Sequence, residues 1–172
     1  MIGYFDSSAL VKLVLAEEHG DLVADLWDAC DSVSVSPLGY AEVCSALSRS
    51  RGERIKDDIG FRRAIDRWHE SWESIRPVPL TEGLAVAAGR LAETHGLSGA
   101  DAVHLASALA VGREHVVMAV FDRRLHQAAQ AEGLATVPAG PPTSSSRTSR
   151  PKTSGAAAVD RSIPRSVDDP QP

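Results

Sequence analysis

The chain has 172 residues, enough for one domain or one domain with an appendage. Acids outnumber bases by 23 to 18, which removes support for a nucleic-acid binder working through bulk positive charge. Two cysteines, Cys30 and Cys44, are too few for a disulfide scaffold, and neither a zinc-ligand spacing nor a membrane-length apolar run is present.

Ile2–Phe5 is a short apolar run that predicts a strand. Ser7–Leu15 follows at helical spacing, with Leu10, Leu13 and Val14 on one face. Gly20–Cys30 reads as a second amphipathic helix, and Val33–Val35 as a short strand. Ser36 and Pro37 then supply an N-cap and a proline at the first helical position. The next helix carries Tyr40, Val43, Cys44 and Leu47 inward. A long polar helix is predicted over Asp57–Ile75, with Phe61, Ile65, Trp68 and Trp72 inward. Arg76–Leu80 is extended, held by Pro77 and Pro79. Helices follow at Glu82–His95 and Gly99–Val111, each ended by a glycine. Val116–Phe121 is a strand, Arg123–Glu132 a helix and Leu134–Val137 a last strand.

The strands are short, apolar and not alternating, and they alternate with helices along the chain. Both features predict a parallel sheet covered on both faces. The fold class expected is α/β, with 1–138 as one domain and 139–172 as a tail. Residues 141–172 hold six of the ten prolines, with seven serines and three threonines. Few apolar residues interrupt them, so burial there would not offset ordering entropy, and the segment is expected to be disordered. It carries five bases and three acids, a net of +2, which leaves 13 bases and 20 acids, a net of −7, in residues 1–140. Removing 141–172 should leave the thermal midpoint almost unchanged, as a thermal melt of the truncated chain will test. The N-terminal stretch holds Asp6 and Lys12 and lacks a basic lead, so it does not read as a signal peptide. The expectation is a cytoplasmic protein.

Four acids fall where such a sheet gathers its ligands, outside the carboxyl ends of the strands. Asp6 closes the first strand and Asp122 the fourth, while Glu42 and Asp101 lie early in helices that start at the same edge. Convergence is costly without a cation: two carboxylates 4 Å apart repel by about 4 kcal/mol at an effective dielectric near 20. Such a site resolves the repulsion by raising a pKa or by holding metal. An all-oxygen set suits Mg²⁺ or Mn²⁺ rather than zinc. Each acid also has a simpler reading. Asp6 and Asp122 can cap the helices that follow, Ser98 and Asp101 resemble a capping box, and Glu42 can be a solvated helix residue.

Four blocks carry a family resemblance: YFDSSALVKLVLAEE, SVSPLGYAEVCSALSR, LSGADAVHLASAL and VMAVFDRRLHQAAQAEGLATVP. In this order and spacing the chain resembles PIN-domain ribonucleases, and among them the VapC-type toxins of VapBC toxin–antitoxin pairs. The resemblance covers residues 1–138. It implies a three-layer α/β/α fold with a parallel sheet of about five strands. It implies a Mg²⁺- or Mn²⁺-dependent endoribonuclease that hydrolyses RNA by a metal-activated water, leaving a 5′-phosphate and a 3′-hydroxyl. Asp6, Glu42, Asp101 and Asp122 would be catalytic and would hold the metal, Asp6 and Asp101 directly. A cognate VapB-like antitoxin and a homodimer are the implied partners.

Ser7 or Ser8 would hydrogen-bond a metal water or a phosphate, or would only help start their helix. Arg123 and Arg124 would contact phosphate or remain solvated. His104 reads as a packed or hydrogen-bonded structural residue rather than an RNA contact, and Trp68 and Trp72 as core or dimer packing. A housekeeping PIN nuclease in RNA maturation remains an alternative, as does a PIN fold kept only for binding. A receiver-like signalling module would want paired acids after the first strand and a lysine after the last, and the chain has no lysine between Lys56 and Lys152. A haloacid-dehalogenase-like phosphatase would want Asp-x-Asp where Asp6-Ser7-Ser8 stands.

Overall fold

Six of the seven helices among the described residues start at a side chain that accepts a backbone N–H: Asp6, Ser36, Asp57, Thr81, Ser98 and Asp122. These caps satisfy donors that a helix start otherwise leaves unpaired, so local chemistry sets where each helix begins. The computed structural model describes residues 1–140, and the expected disordered tail lies outside them.

The elements run β1 (Ile2–Phe5), α1 (Ser7–Leu15), α2 (Gly20–Ala29), β2 (Ser32–Val35), α3 (Pro37–Ser50) and α4 (Asp58–Glu73). They continue with β3 (Arg76–Pro77), α5 (Glu82–His95), α6 (Gly99–Val111), β4 (Val116–Ala119), α7 (Arg123–Ala131) and β5 (Ala135–Val137). The five strands form one parallel sheet in the order β3-β2-β1-β4-β5.

Side chains alternate across the sheet. Tyr4, Val116, Met118 and Val120 face a core shared with α5, α6 and α7. Phe5, Val33, Val35 and Ala119 face a second core built by α1 to α4. The result is three layers, helices on sheet on helices, as expected. Each fully buried Leu or Phe in these cores contributes on the order of 1.5–3 kcal/mol by leaving water.

Two predicted strands are cut short by their pairing. The extended stretch at Arg76–Leu80 pairs as a strand only over Arg76–Pro77, with one further bond from the Val78 N–H to the Val35 carbonyl. Pro77 and Pro79 have no N–H to give the ladder. β4 ends at Ala119, although Val120 still donates to the Val137 carbonyl. Trp68 is fully buried, which places it in the core. Cys30 and Cys44 are free and only partly buried.

Strand order fixes the location of the site. From β1 the chain moves outward to β2 and β3, then crosses back to β4 on the other side of β1. The crevice between β1 and β4 is therefore a topological switch point, where open α/β sheets bind ligands. Asp6 follows one of these strands and Asp122 follows the other shortly after it. At Gly39, near the start of α3, a Cβ would lie 2.7 Å from Val35 Cγ1 and 3.5 Å from His104 Cε1. Glycine there lets α3 lie close against β2, which sets the depth of Glu42 one turn later.

Candidate active site

Asp6, Ser7, Ser8, Glu42, Asp101 and Asp122 line one cleft of about 670 Å³ at the carboxyl edge of the sheet. The cleft brings together all four sequence-predicted acids and both predicted serines. Arg123 is exposed and is not among the lining residues. The basic side chains that do line the cleft are Lys12 and Arg49.

Asp6 is the most buried of the acids, at 3% exposure. Its Oδ1 accepts the Ala9 N–H at 2.9 Å, which caps α1. The Ser8 hydroxyl lies 2.7 and 2.9 Å from its two carboxylate oxygens and accepts the Phe121 N–H at 3.0 Å. Ser8 thus ties the β1–α1 junction to the segment leading into Asp122. Burial pushes the Asp6 carboxyl up to about 6. The charge of His104, the Ser8 hydroxyl and the Ala9 N–H pull in the other direction, and the neighbouring Asp101 pushes up.

Glu42 lies in the second turn of α3, and its Oε2 is 2.7 Å from His104 Nε2. Burial raises its carboxyl, but the hydrogen bond and charge of His104, together with Ser7, leave it below the usual glutamate range. Asp101 sits in the first turn of α6. Its backbone N–H donates to Ser98 Oγ at 3.2 Å, and its carboxylate accepts the Ser98 hydroxyl at 2.7 Å. The capping reading holds, with the serine hydroxyl replacing its backbone N–H as donor to the acid. Asp122 accepts the N–H groups of Arg124 and Leu125 at 2.9 and 3.1 Å, capping α7. Capping and cleft-lining are compatible, because helix starts and strand ends share this edge.

Lys12 is held by the Glu18 carbonyl at 3.1 Å, by Glu17 at 4.0 Å and over the Phe121 ring at 4.9 Å. Burial pulls its ammonium below the usual lysine range. Arg49 bonds to Ser45 on its own helix. Helical spacing could have found it, since Glu42, Ser45, Ala46 and Arg49 share one face of α3.

The donor set is hard oxygen, with no cysteine among the cleft-lining residues. Among the described residues, no three His, Cys, Asp or Glu side chains stand close enough together to hold an ion as placed. Three of the acids turn to nearby donors on their own helix starts, and Glu42 turns to His104. Mg²⁺ is commonly held by one or two carboxylates and several waters, so it does not need a closed protein cage. A buried carboxyl that shares one cleft with three further acids suits such an ion.

A family model described as PIN domain matches residues 3–131, and the chain belongs to the PIN-domain family. The chain is 46% identical over 136 residues to Ribonuclease VapC45 of Mycobacterium tuberculosis, across 79% of this chain and 94% of that protein. Within the family it therefore stands with the VapC-type members. Among solved structures, PAE2754 from Pyrobaculum aerophilum superposes with a TM-score of 0.58 at 21% identity, over 80% of this chain and 93% of the other. VapBC2 from Rickettsia felis, bound to a DNA fragment from their promoter, gives 0.55 at 14% identity, over 79% and 97%. These likenesses show the shared fold. Among the described residues, no helix is long and apolar enough to cross a membrane.

Proposed function

We infer that this chain is an endoribonuclease toxin of a toxin–antitoxin pair. It hydrolyses RNA phosphodiester bonds with Mg²⁺ or Mn²⁺ in the cytoplasm, pairs as a homodimer and is inhibited by a cognate VapB-like antitoxin. The observation that carries this reading is the convergence of Asp6, Glu42, Asp101 and Asp122, from four separate stretches of the chain, on one cleft. Close likeness to a ribonuclease over nearly the whole of that relative supports the substrate class. The antitoxin part rests on membership among the VapC-type PIN domains.

Asp6 and Asp101 are assigned as direct ligands to the cation, with Glu42 and Asp122 acting directly, through water or at a second position. Bound there, a divalent cation supplies Lewis-acid chemistry, lowering the pKa of water and offsetting charge on the phosphodiester. Ser8 holds the Asp6 carboxylate in place through its hydroxyl. Lys12 and Arg49 line the same cleft and offer positive charge to the phosphates of a bound strand. RNA affinity in this acidic domain is thus local rather than a property of net charge.

The purified protein, freed of antitoxin, should cleave single-stranded or loop RNA when Mg²⁺ or Mn²⁺ is supplied, and EDTA should stop it. Asp101→Asn should lower the cleavage rate about a hundredfold or more, because several kcal/mol of charge stabilisation depend on the bound cation. Its circular dichroism should match wild type, since Asn can still accept from Ser98. Cleavage by Asp101→Asn at the wild-type rate, or undiminished cleavage in EDTA, would overturn the assignment.

A further inference from the structure

Glu42 reaches the cleft on a side chain with three rotatable bonds, yet its carboxylate is not left to find its own direction. His104, three residues after Asp101 on α6, is 1% exposed. Its Nε2 lies 2.7 Å from Glu42 Oε2 and its Nδ1 lies 3.0 Å from the Tyr4 hydroxyl. An ionised carboxylate only accepts, so the N–H of this pair belongs to the imidazole. Tyr4 is fully buried, and its oxygen accepts the Ser36 N–H at 3.2 Å. Ser36 is the N-cap of α3, the helix that carries Glu42. The chain of bonds closes a loop: β1 holds the imidazole, the imidazole holds Glu42, and the same tyrosine holds the start of the Glu42 helix.

The imidazole has little room to swing. Its ring is edge-on to Tyr4 with centroids 6.1 Å apart. Gly39 of α3 also stands against it, where a Cβ would make van der Waals contact with Cε1 at 3.5 Å. With both ring nitrogens engaged and the ring enclosed, the direction of the N–H toward Glu42 is set by the core rather than by the cleft.

We propose that His104, held by Tyr4, is a positioning residue that fixes the Glu42 carboxylate at the cleft and so sets how tightly the cleft takes a divalent cation. This rests on the metal-dependent reading above. Oε2 of Glu42 is committed to the imidazole, and the Ser7 hydroxyl meets the same carboxylate from the cleft side. Outer partners that orient ligating groups in this way typically govern 10–100-fold of metal affinity or activity.

The test is calorimetric titration of MnCl₂ into the full chain without RNA. His104→Gln and His104→Met are matched in length, but only glutamine presents an N–H where Nε2 stands. His104→Met should weaken Mn²⁺ binding about 10–100-fold, and His104→Gln should stay close to wild type. Glu42→Gln should itself weaken binding, and adding His104→Met to it should change nothing further. A double variant that binds more weakly than Glu42→Gln alone would show that His104 acts through the fold at large, which overturns the proposal. So would His104→Met binding as tightly as wild type. Should His104→Met fail to fold, Tyr4→Phe leaves the imidazole in place but releases Nδ1. It should weaken binding measurably in the wild-type background and not in Glu42→Gln, and no weakening overturns the proposal. Absence of Mn²⁺ binding by wild type would instead bring down the metal-dependent reading itself, and this proposal with it.

Discussion

Asp6→Asn is expected to stop RNA cleavage and, in the metal-free protein, to raise stability at neutral pH. The cause is the buried charge. The folded protein holds the Asp6 carboxyl at about 6, against an ordinary 3.8, chiefly because burial disfavours the ionised form. Between those values the folded state binds the proton more tightly than the unfolded state, so stability falls as pH rises through this window. Above it the penalty is complete, on the order of 3 kcal/mol at 1.36 kcal/mol per pKa unit. Asparagine carries no charge and still caps α1 by accepting from Ala9.

In EDTA, the variant should melt about 6–12 °C above wild type near neutral pH, at the 2–4 °C per kcal/mol usual for a chain of this size. The gap should narrow as pH falls through about 6 and close below 3.8, where the wild-type carboxyl is protonated in both states. Adding Mn²⁺ should raise the wild-type midpoint, because the ion binds only the folded form, and should leave the variant nearly unmoved. A variant less stable than wild type at neutral pH would refute the buried-charge account. Loss of function joined to a gain in stability is the signature of a site held under electrostatic strain.

The second large effect lies away from the cleft. Trp68 is fully buried in the core formed by α1 to α4. Its ring centroid is 5.9 Å from Tyr40 and 5.6 Å from Trp72, and Tyr40 and Trp72 meet at 5.0 Å. This cluster fastens α4 to α3, the helix bearing Glu42 and Arg49. Trp68→Ala should cost about 3–5 kcal/mol, the range for emptying a large aromatic site in a core. The thermal midpoint should fall by roughly 6–20 °C. Trp68→Phe should cost much less, because the indole Nε1 has no hydrogen-bond partner among the described residues and nothing polar is lost with it. Denaturant melts of both variants check this. A Trp68→Ala penalty no larger than that of Trp68→Phe would mean that the site collapses around the gap.

Helix starts were the most legible part of the chain. Asp6, Ser36, Asp57, Ser98 and Asp122 announce themselves because a cap bonds to an N–H two or three residues away, within the reach of local reading. The four acids were visible for the same reason, each lying at or near the start of a helix. The strand at Arg76–Pro77 was less legible. Proline marks extended backbone in sequence, but whether that backbone pairs depends on which N–H groups face the neighbour. Arg123 follows Asp122 directly, so sequence proximity suggested that it shares the site. The turn of α7 instead leaves it exposed and outside the cleft lining.

What local chemistry settled, then, was the order of elements, their caps and the four acids at one edge of an α/β sheet. Folding decided what those acids meet. His104 and Glu42 are 62 positions apart, and Tyr4 and His104 are 100 apart. No periodicity links such residues. They meet because the chain crosses from β3 over the sheet to β4, which lays α6 behind β1 and opposite α3. The same crossover opens the crevice between β1 and β4, and the packing of α1 and α3 around it brings Lys12 and Arg49 to the acids. Caps and hydrophobic spacing act over a few residues and can be read in one dimension. Strand order and the hydrogen bonds across it depend on how two cores close on opposite faces of one sheet.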